Sequence, residues 1–398
     1  MSATSSTART TSRDAVNIAS RIYPLADAGG ICVSRQVYDQ VRNKFEFPLA
    51  SQGVKELKNV TEPVEVFKVT MPWEREESSA TSPLDPKRIA VLPFVSMSPD
   101  TNDEYFADGL TEELITRISL VRGLEVIART SAMNYKKKEK NASQIGRELK
   151  VGTLLEGSVR KAGNRIRVSA QLINANTEGH LWAETYDRNL EDIFEVQSSV
   201  AENVAGALKL RLLDEDKERV ESTGNIEAYA MYLRAMQLIH EDNEASCRES
   251  IALFEEAISK DPTFVRAYAG LSLAWYQMAV LNWADFIVSV NRAEAAARKA
   301  VELGPASAEA HAAMARVHVA LDKFGESLLE GETAIRINPN LVLASSELGW
   351  ICCVLGRFDE AIGYLRKARS LDPLDPYPAG TLIMAKGRGK GRRSARGG

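Results

Sequence analysis

AISKDP at residues 257–262, AVELGP at 300–305, AIRINP at 334–339 and ARSLDP at 368–373 are one phrase written four times. Pro305, Pro339 and Pro373 are 34 residues apart, and Pro262 stands 43 before Pro305. Each phrase opens on Ala and closes on Pro. A small residue lets one helix approach another closely, and a Pro ends the helix that carries it. Residues 226–376 therefore read as stacked helical hairpins, none of which can bury its apolar face alone. In the last unit Gly349, Ala361 and Ala368 fall where the two helices touch. Ala315 and Ala334 do this in the third unit, Ala293 and Ala300 in the second. The nine extra residues of the first step are expected between the helices of the second unit, near 278–287. Trp283 and Phe286 would there pack at a groove rim or cap the neighbouring unit.

A period of 34 closed by Pro resembles the tetratricopeptide repeat. The resemblance implies a curved solenoid whose concave groove, lined by the first helix of each unit, binds extended peptides or partner helices. It singles out Tyr268, Trp275, His311, Arg316, His318 and Glu347 as partner-binding candidates. Each of these reads equally as a stacking contact or a solvated surface residue.

Upstream, residues 87–213 alternate short apolar runs with amphipathic stretches, as a compact α/β module does. Residues 89–94 (IAVLPF) suit a buried strand. Leu110, Leu114, Ile118 and Val121 give 105–121 one apolar helical face. A strand is predicted at 124–129, a helix at 141–149, and strands at 153–161 and 165–174 about a turn at Ala162-Gly163-Asn164. Another strand follows at 182–187, then a long helix at 190–213. The phrases IAVLPF, FADGLTEELITRIS (106–119), LLEGSVRKAGNRIRVSAQLI (154–173) and HLWAETYDR (180–188) resemble the amino-terminal domain of TolB. That resemblance implies a non-catalytic interaction or sensory domain. No phosphate-binding loop, dinucleotide fingerprint or metal cluster appears in it. Residues 73–86 (WEREESSATSPLDP) are an acidic, then Ser/Thr/Pro-rich linker.

Residues 1–13 carry no apolar period and read as disordered. From Asp14 the text is dense: a helix through Ile22, a turn at Ala28-Gly29-Gly30, a strand at 31–34, a helix capped by Ser34 and running to Val41, and a strand at 64–69. VNIASR (16–21), GGICVS (29–34) and LKNVTEPVEVFKV (57–69) stand in order. They resemble the C-terminal part of class III adenylate/guanylate cyclases. The resemblance implies that Asn17 orients a ribose and that Arg21 holds an α-phosphate, two donors four residues apart on one helix face. It also implies that the metal-binding aspartates belong to earlier strands with no counterpart here. Residues 14–72 are thus expected to be an incomplete cyclase domain with vestigial catalytic groups. No cofactor is expected in this chain. Mg or Mn with ATP would enter only through complementation by an intact cyclase protomer, a possible dimer partner.

The fold class expected is multidomain, α/β plus all-α: an incomplete cyclase α/β remnant, a compact α/β TolB-like module and an α-helical solenoid. A net charge of −4 argues against a general nucleic-acid binder. Residues 377–398 form a Gly/Arg/Lys-rich tail, read as disordered or as a contact for anionic surfaces. Cys32, Cys247, Cys352 and Cys353 fit neither a disulfide framework nor a zinc site. Neither a signal peptide nor a membrane-spanning run is visible, so a cytoplasmic chain is expected. The function read from the sequence is an intracellular signalling scaffold that binds proteins through its repeats and its α/β module. The alternative is a class III adenylate cyclase active only beside an intact partner protomer.

Overall fold

The computed structural model describes residues 18–26, 31–42, 49–57, 60, 63–69, 83–100, 103–136, 140–210 and 223–385. Two compact units divide the chain, 1–82 and 83–398. In the first, β1 (Ile31–Ser34), β2 (Leu49–Lys55) and β3 (Val64–Val69) form an antiparallel sheet with β3 in the middle. Ser34 caps α1 (Arg35–Val41), its Oγ accepting from the Val37 N–H at 3.5 Å. Tyr38 of α1 stacks on Phe67 with ring centroids 4.0 Å apart, and Val66, Phe67 and Val69 are buried. β1, α1 and β3 lie where the sequence pattern predicts them. β2 was not legible, because LASQGVK holds a Gly and is exposed over nearly all its length. Asn17 and the Gly29-Gly30 turn lie outside the described residues. Residues 18–22 are helical.

The second unit opens with an α/β layer. Its strands are β4 (Arg88–Val91), β5 (Val95–Ser96), β6 (Glu125–Val126), β7 (Thr153–Ala162), β8 (Arg165–Asn174) and β9 (His180–Asn189). They run in the order β6-β4-β7-β8-β9, with β5 beside β7. β4 pairs parallel with β6 and β7, whereas β7, β8 and β9 are antiparallel. The helices are α2 (Glu104–Ser119), α3 (Arg129–Met133), α4 (Ala142–Leu149) and α5 (Ile193–Ala207). Successive side chains of a strand point to opposite faces. Ile89 and Val91 meet α2 and α5 in one core, while Ala90 and Leu92 meet α4 in another.

Two elements depart from expectation. The strand predicted at 124–129 is only β6, and Arg129 already opens α3. The Ala128 N–H is taken by the Leu371 carbonyl, at 2.8 Å, instead of a ladder. The helix predicted at 190–213 begins as a 3₁₀ turn, Leu190–Asp192, and α5 ends at Ala207, after which Lys209 sits at φ +56°.

Helical hairpins fill the rest: α6 (Ile226–Ile239) with α7 (Glu244–Lys260), α8 (Val265–Val280) with α9 (Phe286–Leu303), α10 (Ala308–Ala320) with α11 (Phe324–Ile337), and α12 (Val342–Val354) with α13 (Phe358–Leu371). The small residues do what their spacing predicts. A Cβ on Gly349 would lie 2.5 Å from Leu365 Cγ, and Ala293, Ala300, Ala334, Ala361 and Ala368 are fully buried. Most of the nine extra residues lengthen the helices, since α8 and α9 have 16 and 18 residues against 13 and 14 in α10 and α11. Trp283 packs against the core shared with the first hairpin, whereas Phe286 is exposed.

The disordered tail predicted from residue 377 starts instead as a helix, α14, over 376–385. Ala379, Leu382 and Ala385 recur every three residues and are buried, the last two against Cys352, Cys353, Ala361 and Leu365. Asp375 caps its start by accepting from the Tyr377 N–H at 2.9 Å. The sequence signal missed was this apolar stripe just ahead of the basic run. Residues 386–398 lie outside the described residues.

Candidate functional site

The first helices of the hairpins, α6, α8, α10 and α12, face a shared concavity, and α2 of the α/β layer runs along it. Glu112 and Thr116 of α2 share a cavity wall with Tyr232, Arg266, Ala312 and Leu343, one residue from each of those helices. Because α2 packs on the sheet on one side and on the array on the other, it is buried nearly all round. Gly109 permits the approach: a Cβ there would sit 2.6 Å from the Leu233 side chain. Glu113, 1% exposed, forms a buried ion pair with Arg266. Beside it Arg117 donates to Gln197 Oε1 at 3.2 Å and Ser198 Oγ at 3.0 Å, and Gln197 donates to the Tyr229 hydroxyl at 2.7 Å. Burial holds the Arg117 guanidinium below its ordinary range.

The turns between hairpins grip the sheet edge. Asn340 accepts from the Val126 N–H at 3.2 Å and donates to the Ser119 and Leu124 carbonyls at 2.8 and 3.0 Å. Asn338 donates to Ser119 Oγ at 2.7 Å. Arg88 donates to the Ser370 carbonyl at 2.7 Å, and Lys367 pairs with Glu125 at 2.7 Å. Ser131 donates to Asp372 at 2.5 Å and accepts from the Leu374 N–H at 2.9 Å. Burial pushes the Asp372 carboxyl up to about 6. Edge strand β6 is thereby covered, as exposed edges in stable proteins generally are.

What α2 leaves open is a cleft of about 590 Å³ towards the third and fourth hairpins. Glu112 and Arg129 border it from the α/β layer, and Tyr276, Glu309, Arg316, Glu347 and Trp350 from the array. Arg316 pairs with Glu347 at 2.8 Å, its guanidinium carbon 5.3 Å from the Tyr276 ring centroid. Arg129 Nε lies 3.3 Å from Glu112 Oε2 but makes no hydrogen bond among the described residues. Among the described residues no group of three or more His, Cys, Asp or Glu is placed to hold a metal ion.

Of the six candidates named from the repeat pattern, Arg316 and Glu347 meet in this cleft. Trp275 turns towards the second helix of its own hairpin, where Arg292 lies 4.4 Å from its ring centroid. Tyr268 packs against the core between the second and third hairpins. His311 Nδ1 is 2.5 Å from Glu330 of α11, with Nε2 3.0 Å from the Pro305 carbonyl, so it braces one hairpin. His318 keeps a buried Nδ1 without a hydrogen bond among the described residues. In the first unit Arg21 is exposed on the 18–22 helix. The pattern missed Glu113, Arg266, Asn338 and Asn340. The signal for the last two was present: the third phrase ends NPN where two others end DP.

A larger concavity, about 1130 Å³, lies over the face of β7, β8 and β9. Its polar groups largely satisfy one another: Gln171 donates to Glu156 at 2.6 Å, and the Ser169 and Thr185 hydroxyls are 3.0 Å apart.

Comparisons with known proteins bear on these parts separately. A family model described as HilA/YgeH-like transcriptional regulator, second domain, matches residues 85–203, under a third of the chain. A curated protein of Rhizobium meliloti (strain 1021), "Putative adenylate cyclase 3", is 41% identical over 269 residues. The match takes in 65% of this chain and 46% of that protein, so the chain spans about half the length of this relative. Among solved structures, a thermophilic TPR protein of Thermus thermophilus aligns at 17% identity over 48% of this chain and 93% of its own, with a TM-score of 0.35. The TPR2AB domain of yeast Sti1, in a complex with pHSP90, aligns at 15% identity over 50% and 89%, with a TM-score of 0.23. Scores so low carry no weight, and the helical array rests on the hairpins described above. No described helix is long and apolar enough to cross a membrane.

Proposed function

We propose that this chain is a signalling scaffold built on an adenylate cyclase architecture, which binds protein partners and does not make cyclic AMP by itself. The observation that carries this reading is the division of labour in the second unit. The concave face of the array is engaged by the chain's own α2, while Val280, Leu281, Phe286, Ile287 and Val288, at the tip of the lengthened second hairpin, are exposed. Contiguous exposed apolar residues mark interaction surfaces. In this reading residues 87–213 are a TolB-like, non-catalytic module, and the HilA/YgeH-type match supports a regulatory part. Residues 14–72 are the cyclase-type segment, with Asn17 to orient a ribose and Arg21 to hold an α-phosphate. The partner is a protein of cyclase type.

The second reading, favoured by 41% identity to a protein named as an adenylate cyclase, is catalysis beside an intact protomer that brings Mg or Mn with ATP. One assay separates the two. The purified chain is given ATP with Mg or Mn, alone and mixed with an intact class III cyclase protomer, and association is followed by sedimentation. Association without added cyclic AMP supports the scaffold. Cyclic AMP that appears on mixing and is lost in Arg21→Ala supports the second reading. Cyclic AMP from the chain alone overturns both.

A further inference from the structure

The sheet of the second unit has two edges, and the described residues cover only one of them. Edge strand β6 is gripped by Asn340 and Lys367. At the other edge β9 runs for ten residues, His180–Asn189, and among the described residues it pairs with β8 alone. Opposed residues of an antiparallel pair alternate between hydrogen-bonded and non-hydrogen-bonded positions. The Leu190 N–H donates to the Asn164 carbonyl at 2.9 Å. Counting back by twos, Arg188, Tyr186 and Glu184 turn their backbone groups to β8, opposite Ile166, Val168 and Ala170. Ala183, Thr185 and Asp187 therefore turn theirs outwards. Among the described residues only Arg188 Nη1 meets one of these groups, the Asp187 carbonyl at 3.1 Å.

A bare edge takes up another strand unless Pro, Lys, a bulge or shortness blunts it. Residues 183–188 hold neither Pro nor Lys, and the register shift against β8 lies beyond them, between Leu172 and Ile173. The charges on β9 suit one neighbour in particular. Glu184 accepts from the Tyr186 hydroxyl and the Asn203 amide, both at 3.0 Å, and makes no ion pair among the described residues. Arg188, four residues on and on the same face, also makes none there. Asp187, on the opposite face, is already neutralised by Arg165 at 2.5 Å and Arg167 at 2.6 Å.

We propose that two copies of this chain pair antiparallel through β9, about a two-fold axis at Tyr186, so that one sheet runs through both. In that register Thr185 and Asp187 of one copy exchange N–H···O bonds with Asp187 and Thr185 of the other. Glu184 stands opposite Arg188 of the second copy, at a non-hydrogen-bonded position where facing side chains lie closest. The symmetry makes this pair on both sides of the axis. Opposite charges directly across a ladder stabilise it, and like charges destabilise it. Arg188 gives up its own Asp187 carbonyl, which the Thr185 N–H of the second copy takes instead. A second copy is specified over a strand of another protein because the two free charges match across the strand's own axis. Such an interface uses the same patch on both copies, so the assembly closes as a dimer. The pairing lies within the second unit and does not depend on the scaffold reading, since it asks nothing of a cyclase-type partner.

The test is sedimentation equilibrium of the full chain over micromolar concentrations. The unaltered chain is expected to dimerise. Glu184→Arg and Arg188→Glu each set like charges across the axis, and each should dimerise at least roughly tenfold more weakly. An equimolar mixture of the two variants should recover the dimer, because each copy then carries the charges that the other lacks. Misfolding of either variant would not give that recovery. A chain that stays monomeric, with the edge bare or holding a strand of another protein, overturns the proposal. So do dimers that neither change weakens, as contact through residues 14–72 would give, and so does a mixture that associates no more strongly than its components.

Discussion

The two ends of the array's concave face use the same chemistry for different purposes. At the first end Arg266 of α8 reaches out of the array to Glu113 of α2, and both side chains are sealed, at 8% and 1% exposure. At the other end Arg316 of α10 reaches along the array to Glu347 of α12, beside an open cleft, at 21% and 11%. An arginine on the concave face is thus not a sign of a free binding groove. Where its partner belongs to another layer it fastens the fold, and where its partner belongs to the next hairpin it leaves space beside it.

The largest effect should come from the sealed end. Removing one member of a buried pair strands the other without compensation, at about 3–5 kcal/mol. Glu113→Ala is expected to lose that much in urea denaturation, and Arg266→Met a similar amount. The double variant Glu113→Leu with Arg266→Met should recover most of it, because neither member of the pair is left as a stranded charge. If both single changes cost less than roughly 1 kcal/mol, α2 is not seated on the array as described.

Next in size is the grip on the sheet edge. Asn340 makes three hydrogen bonds to backbone groups around β6. Asn340→Ala should cost about 2–3 kcal/mol, from net values near 1 kcal/mol per bond and the unsatisfied groups left behind. Hydrogen exchange should speed up at Val126 before it does at β7 and β8, since the edge is released while the sheet interior stays paired.

Much of this molecule was legible from its sequence, and the illegible parts share a cause. The hairpins followed from four phrases because a small residue and a Pro stop act locally. β7, β8 and their turn followed from alternation and Gly163, which sits at φ +60°. The docking of α2 did not follow. Leu110, Leu114 and Ile118 announce one apolar face, and Glu112, Glu113 and Arg117 on the rest of the helix look like a solvated surface. That face is instead covered by side chains from positions some eighty residues or more downstream. A charge paired across such a separation leaves no local pattern. The same holds for the cleft: Arg316 and Glu347 were among the residues named, but which wall faced them depended on where α2 lies.

A smaller, pH-dependent effect distinguishes the docked turn after α13. The Asp372 carboxyl, ordinarily near 3.8, stands at about 6 because it is buried. Its folded-state value is raised, so the folded chain holds the proton more tightly than the unfolded one. This group's contribution is complete below about pH 4, is lost as pH rises through about 6, and is level above that. The rise from 3.8 to about 6 corresponds to at most about 3 kcal/mol, which the group's remaining exposure trims to on the order of 2 kcal/mol. Asp372→Asn keeps an acceptor for Ser131 and removes the charge. It should raise stability at about pH 7 by up to that amount and flatten the profile between about pH 4 and 6. Denaturation midpoints across that window check both the sign and the slope.

The smallest effect should come from the open end, and it decides whether the two ends really differ. Arg316→Met removes a cation whose partner Glu347 borders the cleft, where water can solvate the carboxylate that remains. Arg316 and Glu347, at 21% and 11% exposure, are less sealed than Arg266 and Glu113, and a pair that water reaches is worth less and is screened by salt. The expected loss is therefore about 1 kcal/mol, shrinking as salt is added, in contrast to a salt-insensitive loss for Arg266→Met. A loss as large as that of Arg266→Met, unmoved by salt, would mean that the cleft is closed to water and that both ends of the concave face serve only to hold the layers together.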